Sequence, residues 1–304
     1  MLMEMPANVR KQYPFQSNYI KVNGRTMHYL DEGDGEPILL LHGNPTWTFL
    51  YRKFIPILKA EGYRILSPDL IGLGMSEKPS NEYSYSLLHH TSNLEQFIVK
   101  LNLKNINLVI QDWAGPIGLG YAVRRRENVK SQLIMSTWAW TDVSPFHDSI
   151  FPWRMMHAPL VGPYFLQRRN ALTERGLRLS VVNRERMTED VLDGYRFPMQ
   201  TYDDRATFLR FPRMIPLGEN NKDNTASHTI SRLNAQLPSL NIPTLIIWGE
   251  QDDVFPKEWA QRFYEILPNA RPPIYVQAKH FIQEDEPEFI SRELLRFLKS
   301  LSRG

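Results

Sequence analysis

Ile106-Asn107-Leu108-Val109-Ile110-Gln111-Asp112-Trp113-Ala114-Gly115-Pro116-Ile117-Gly118-Leu119-Gly120 is the stretch on which the fold turns. Its first half is an apolar, β-branched run, as a strand buried on both faces requires. The run stops at Gln111, and the Gly- and Ala-containing sequence beyond Trp113 can start a helix against the sheet. A polar residue held at so sharp a strand-to-helix turn has its side chain pushed out at the sheet edge, beside the partial positive charge of the helix N-terminus. Asp112 has that place. A carboxylate suits it as a nucleophile, because it is ionised at neutral pH without a base. It suits a plain N-cap equally well, and this stretch alone leaves both roles open.

Composition narrows the classes. A chain of 304 residues with 42% hydrophobic residues can bury a large core and lies between one and two domains by length. The net charge is only +3, and the short run Arg124-Arg125-Arg126 reads as a solvated helix face, so nucleic acid is not an expected partner. There is no cysteine, which removes disulfides and thiolate zinc sites. Met1 to Gln16 has no apolar signal-like region, and no run approaches the ~20 apolar residues of a membrane span. A soluble, cytoplasmic protein with no membrane partner is the expectation.

Outward from the central stretch, strands and helices alternate. Asn18 to Val22, a turn at Asn23-Gly24 and Met27 to Leu30 predict a hairpin. Pro37 to Leu41 predicts a central strand, Tyr51 to Ala60 a helix, Arg64 to Ser67 a short strand and residues 83–101 a helix. After Asp112 come a helix near 116–127 and a strand at Gln132 to Met135. From about Trp138 to Gln236 there is no strand-like run, only helical spacing with prolines and aromatics such as Phe146, Phe151, Trp153, Phe165, Phe208 and Phe211. Strands resume at Pro243 to Gly249 and near Pro273 to Ala278, and Pro287 to Leu301 closes as an amphipathic helix. The pattern predicts a mostly parallel sheet flanked by helices. It divides the chain into a core of residues 1–137 and 237–304 and an inserted helical cap of residues 138–236.

Ligands of an open α/β sheet lie outside the carboxyl ends of its strands. His42 to Asn44, Asp112-Trp113, Asp252-Asp253 and His280 all follow expected strands. Their order is nucleophile, acid, histidine, as in α/β-hydrolases. With His-Gly-Asn-Pro-Thr-Trp at 42–47, Asp-Leu-Ile-Gly-Leu-Gly-Met-Ser-Glu-Lys-Pro at 69–79, Gln-Asp-Trp-Ala-Gly at 111–115, Trp-Gly-Glu-Gln-Asp at 248–252 and His-Phe-Ile-Gln-Glu-Asp-Glu-Pro at 280–287, nearly the whole chain resembles a haloalkane dehalogenase of the α/β-hydrolase superfamily. That resemblance implies an eight-stranded sheet. It makes Asp112 the nucleophile, His280 the base and Asp252 the acid that orients it. Asn44 and Trp113 become the halide holders. Such proteins often self-associate.

The chemistry agrees with those roles. Halide displacement from an sp³ carbon needs an anionic, desolvated and aligned nucleophile. The Asn44 amide and Trp113 indole N–H can receive the leaving halide. Water activated by His280, itself held by Asp252, then cleaves the alkyl-aspartate ester, with the backbone N–H groups of Asn44 and Trp113 as oxyanion hole. The substrate side consists of a small apolar halogenated compound, water and halide. No His/Asp/Glu cluster has metal-ligand spacing, so neither metal nor cofactor is expected.

Plainer readings compete at several positions. His42 reads as a loop brace, and Asp253 rivals Asp252 as the acid, although the Gly-Glu-Gln-Asp register favours Asp252. Asn44 suits the turn before Pro45. Gly72 and Gly74 lack the Gly-Lys-Ser/Thr of a phosphate loop. Trp138 and Trp140 suit either core or cavity wall. Ile110 stands where a serine-type elbow wants a small residue. Met135, Ser136 and Thr137 occupy positions where some dehalogenases carry an acidic residue, which directs the acid to Asp252. An epoxide hydrolase is the nearest alternative; it would need two cap tyrosines, with Tyr164, Tyr195 and Tyr202 as candidates, and an aromatic residue in place of Asn44. A fluoroacetate dehalogenase would want arginine where Trp113 stands. A non-catalytic receptor for hydrophobic ligands is the alternative from another class.

Overall fold

The computed structural model describes residues 4–80, 85–142, 156, 158–215 and 225–302. Eight strands make one sheet: β1 (Asn18–Val22), β2 (Arg25–Glu32), β3 (Pro37–Leu41), β4 (Arg64–Pro68), β5 (Ile106–Gln111), β6 (Val129–Met135), β7 (Thr244–Gly249) and β8 (Ile274–Val276). Their order is β1-β2-β4-β3-β5-β6-β7-β8. β1 and β2 form the expected hairpin, and β2 joins β4 antiparallel. All other pairings are parallel. The hairpin turns through Asn23 and Gly24 at φ +46° and +80°, the left-handed pair that a two-residue turn between right-twisted strands demands.

Every residue of β5 is buried, because its alternating side chains feed two separate cores. Leu108 and Ile110 join Leu39, Leu41, Ile134 and Ile246 on one face. Val109 joins Ile38, Leu40, Leu133 and Ile247 on the other. Each such side chain contributes about 1.5–3 kcal/mol by leaving water. A polar or charged residue inserted on either face has no solvent to escape into.

Boundaries differ from the sequence reading for local reasons. The segment expected as a helix from Tyr51 begins as a 3₁₀ turn at Thr48–Tyr51, and the α-helix proper is Phe54–Ala60. Pro56 lacks an N–H, so it is tolerated only in a first turn. The helix after β5 starts at Ala114, directly at the elbow, and ends at Arg124. β6 is longer than expected, starting at Val129, whereas β8 at the sheet edge keeps only three residues after Pro272-Pro273. The helix expected from 83 is described from Leu87, with the Ser86 side chain accepting from the His89 N–H; positions 83 and 84 lie outside the described residues.

Between β6 and β7 the described residues form helices and no strand. They include π-helical turns at Pro163–Arg168 and Leu172–Gly176, then helices Glu189–Arg196, Ala206–Arg213 and Thr225–Gln236. Of the aromatics singled out there, Phe208 and Phe211 are fully buried, Phe165 is exposed, and Phe146, Phe151 and Trp153 lie outside the described residues. Among the described residues no helix is long and apolar enough to cross a membrane.

Candidate active site

The chain emerges from β5 into a turn at Asp112 with φ +54°, a backbone region that costs a non-glycine residue on the order of 1–3 kcal/mol. The surroundings enforce it. Asp112 N–H donates to the Ser136 carbonyl at 2.9 Å and its own carbonyl accepts from Gly115 N–H at 2.9 Å. Thr137 Oγ1 donates to that carbonyl at 2.5 Å. The strained turn lifts the carboxylate off the sheet while leaving it buried, at 6% exposure.

The loop after β3 closes on it from one side. Asn44 N–H donates to Asp112 Oδ1 at 2.7 Å. A methyl group at Gly43 would lie 2.0 Å from the same oxygen, so only glycine permits the approach. His42 braces this loop, with Nδ1 2.9 Å from the Gly43 carbonyl and Nε2 accepting from Leu70 N–H at 3.0 Å. The structural reading of His42 holds. The Asn44 side-chain Oδ1 is buried without a hydrogen-bond partner among the described residues.

His280 reaches the carboxylate from the loop after β8, with Nε2 3.7 Å from Asp112 Oδ2. Its Nδ1 lies 3.6 Å from Asp252 Oδ1. Asp252 is fixed by Val254 and Phe255 N–H groups, both 2.9 Å from Oδ1. Asp253 instead points outward to Lys279 Nζ at 3.1 Å. The structure therefore brings Asp252, and not Asp253, to the histidine.

Gln111 is the site neighbour that the sequence reading passed over. Its Nε2 donates to the His280 carbonyl at 3.3 Å, which fixes which end of the amide is the donor, and the same nitrogen lies 3.0 Å from His280 Nε2. An amide N–H facing Nε2 makes that ring nitrogen the acceptor and places the ring proton on Nδ1, toward Asp252. The available signal was a polar residue ending a wholly apolar strand.

Burial pushes the Asp112 carboxyl above its ordinary 3.8, against the opposing pull of His280 and the Trp113 and Asn44 amides. Burial alone would depress His280, but Asp252 and Asp112 outweigh it and hold the imidazole above its ordinary 6.5. The arrangement is an incompletely neutralised carboxylate beside an imidazole flanked by a second carboxylate. It can attack an electrophilic carbon and then accept attack by an activated water.

Aromatic rings wall the site. Trp113 meets Trp138 edge-on at 4.8 Å and Phe211 at 5.2 Å. Phe255 stacks on Trp138 and stands edge-on to His280 at 5.3 Å. Trp140 belongs elsewhere, packed against Trp259 and Phe263. Tyr164 and Tyr202 are about half exposed, and the Tyr195 hydroxyl donates to Glu284 Oε1 at 2.6 Å. Among the described residues no three His, Cys, Asp or Glu side chains gather as a metal site.

Known proteins share this plan. A family model described as the alpha/beta hydrolase fold matches residues 36–287. Haloalkane dehalogenase 2 of Mycobacterium bovis is 34% identical over 286 residues, covering 93% of this chain and 95% of that protein. The cis-3-alkyl-4-alkyloxetan-2-one decarboxylase of Shewanella oneidensis is 33% identical over 290 residues, covering 94% of this chain and 89% of that protein. The crystal structure of haloalkane dehalogenase DbeA from Bradyrhizobium elkani superimposes with a TM-score of 0.87 at 27% identity, covering 95% of this chain and 99% of the other. The elbow, the sheet order and these relatives converge: the chain belongs to the α/β-hydrolase fold family and, within it, to the haloalkane dehalogenase group.

Proposed function

We propose that this protein converts haloalkanes and water to an alcohol, a halide ion and a proton through a covalent ester on Asp112. The observation that carries this reading is the unequal solvation of the Asp112 carboxylate. Oδ1 accepts the Asn44 amide at 2.7 Å, while His280 stands 3.7 Å from Oδ2 and the Trp113 amide adds its own pull on the carboxyl. Oδ2 thus keeps a lone pair for in-line attack on carbon. The C–O bond forms as the C–halogen bond breaks, and the halide departs toward the side-chain N–H groups of Asn44 and Trp113.

His280 is poised for the second step. Its Nε2 lone pair, once the Gln111 amide N–H yields it, takes a proton from water, Asp252 stabilises the resulting imidazolium, and the hydroxide attacks the ester carbonyl. The Asn44 amide, already on Oδ1, and the Trp113 amide receive the developing oxyanion. Collapse releases the alcohol and restores the carboxylate. These groups and water complete the chemistry without a cofactor. In this reading residues 1–137 and 237–304 form the catalytic core, residues 138–236 cover it, and the protein works in the cytoplasm on small apolar substrates.

A second reading has its own support in the 33% identity to an oxetanone decarboxylase. The same carboxylate could open a strained four-membered lactone at carbon, with loss of carbon dioxide and formation of an alkene. The epoxide alternative finds less support, since Tyr195 spends its hydroxyl on Glu284 and the other two tyrosines are half exposed.

One assay separates the three: bromide from 1-bromobutane, diol from styrene oxide, and alkene from a cis-dialkyl oxetan-2-one. Bromide release at the highest kcat/KM is expected, and turnover of the lactone or epoxide alone would overturn the assignment. With His280→Phe and 1-bromobutane, intact mass and peptide mapping should find a butyl ester on Asp112. Its absence sinks the covalent route.

A further inference from the structure

We propose that the protein carries a second reactive centre, Ser17-His28-Asp69, on the hairpin side of the sheet and independent of the Asp112 reading. Ser17 directly precedes β1, His28 lies in β2, and Asp69 directly follows β4. The β1–β2 register pairs Tyr19 with His28, and Asp69 N–H donates to the His28 carbonyl at 2.9 Å. The start of β1, the middle of β2 and the end of β4 therefore bring the three side chains together.

His28 Nδ1 lies 2.7 Å from Asp69 Oδ2, and His28 Nε2 lies 3.1 Å from Ser17 Oγ. The Asp69 carboxylate also accepts Thr48 N–H and Met75 N–H, each at 2.8 Å. Burial opposes its charge, but His28, His42 and the Thr48 amide hold it ionised, below the usual carboxylate range. An ionised Asp69 at Nδ1 places the ring proton there and leaves the Nε2 lone pair facing the serine. His28 and Asp69 are wholly buried, whereas Ser17 is exposed. An accessible hydroxyl, a base in hydrogen-bond reach and a buried carboxylate orienting that base are the three parts of an activated serine.

A cavity of about 580 Å³ adjoins Ser17. Ser17 lines it together with Tyr13, Phe15, Tyr19, Met75 and Arg10. The aromatic and thioether walls fit an apolar acyl group, and the Arg10 guanidinium supplies a cation for a carbonyl oxygen that gains charge. The substrate class is a carboxylic ester with a small apolar acyl chain. Ser17 Oγ bonds to the ester carbonyl as its proton passes to His28 Nε2. The alkoxide leaves with that proton as the alcohol. Water then splits the acyl-serine to the free acid by the same proton path.

The test uses an alkyl fluorophosphonate, whose phosphorus bonds to an activated serine oxygen as fluoride leaves, with readout by intact mass and peptide mapping. The expected result is one adduct on Ser17, formed at the wild-type rate in Asp112→Ala and absent in Ser17→Ala. Hydrolysis of p-nitrophenyl acetate should fall to background in Ser17→Ala while bromide release from 1-bromobutane is unchanged. His28→Gln should slow labelling roughly 100-fold, the range of a lost general base. Because His28 is buried, that variant counts only if its circular dichroism is native; Ser17→Ala, altered at an exposed position, decides otherwise. No adduct on Ser17, labelling no faster than at other exposed serines, or equal ester hydrolysis in Ser17→Ala overturns the proposal.

Discussion

Asp112 and Glu284 are both buried carboxylates, and their surroundings could hardly differ more. Glu284 accepts Arg52 at 2.5 and 3.0 Å, Lys53 at 2.9 Å and the Tyr195 hydroxyl at 2.6 Å. Burial would raise it, but those partners, led by Arg52, hold its carboxyl at about 2. Asp112 has no cation bonded to it among the described residues: the Asn44 amide sits on Oδ1, the Trp113 amide pulls in the same direction, a histidine stands 3.7 Å from Oδ2, and burial still leaves it above its ordinary value. A carboxylate that fastens parts of a fold gives its lone pairs away to cations and donors. One suited to bond with carbon keeps a lone pair in reserve and tolerates its own desolvation. Glu284, on the short helix Ile282–Asp285 just after His280, ties that segment to the helix Glu189–Arg196 through Tyr195, so the saturated carboxylate also steadies the segment that carries His280.

The sharpest way to break this contrast is to neutralise each group. Asp112→Asn should lower bromide release by at least ~10⁴-fold, the scale of losing a covalent nucleophile, yet raise the thermal midpoint at pH 7 by removing a poorly compensated buried charge. A drop in midpoint would refute the idea that Asp112 is under-neutralised. Asp252→Asn should cost roughly 10³–10⁴-fold in turnover, as a histidine loses the carboxylate that sets its tautomer. Asp253→Asn should leave turnover within about twofold, because its carboxylate is partly exposed and turned to Lys279 and not to His280. Equal losses would mean that the acid is misassigned.

Glu284→Gln should destabilise the fold by about 3–5 kcal/mol at pH 7, read by urea unfolding, because Arg52 is left buried without its counter-charge. Acid titration checks the same point. Glu284 falls from 4.5 to about 2 on folding, which corresponds to roughly 3 kcal/mol. That contribution is present above pH 4.5 and is lost as pH falls through the folded value near 2. Asp112 has the opposite sign: its raised carboxyl favours folding when protonated, and the benefit is lost as pH rises through its folded value. Glu284→Gln should therefore flatten the acid limb and Asp112→Asn steepen it. Tyr195→Phe, which removes one charge-assisted donor from Glu284, should cost the least, about 1.5–3 kcal/mol.

The elbow was legible because strands buried on both faces and abrupt glycine-flanked turns leave local marks, and Ile106 to Gly120 carries both. The hairpin turn at Asn23-Gly24 was equally plain, since left-handed φ values select those residues. Boundaries were less so. The helix after Tyr51 starts late because of Pro56, and β8 shrinks to three residues at an edge with no outer neighbour to extend it. The choice of Asp252 over Asp253 rested on register and family likeness in the sequence, and on side-chain direction in the fold.

Local order along the chain thus determined the mostly parallel sheet, the hairpin, the helical character of the described residues between β6 and β7 and the acidic residue at the turn, because hydrophobic period and backbone restriction act over a few residues. Tertiary structure alone decided that Gln111 faces His280, that Glu284 is saturated by Arg52, Lys53 and Tyr195, and that Ser17 meets His28. Those partners stand 169, 232, 231, 89 and 11 residues apart. Charge and hydrogen bonding depend on ångström distances and on exclusion from water, and neither exists until the strands have brought distant segments together.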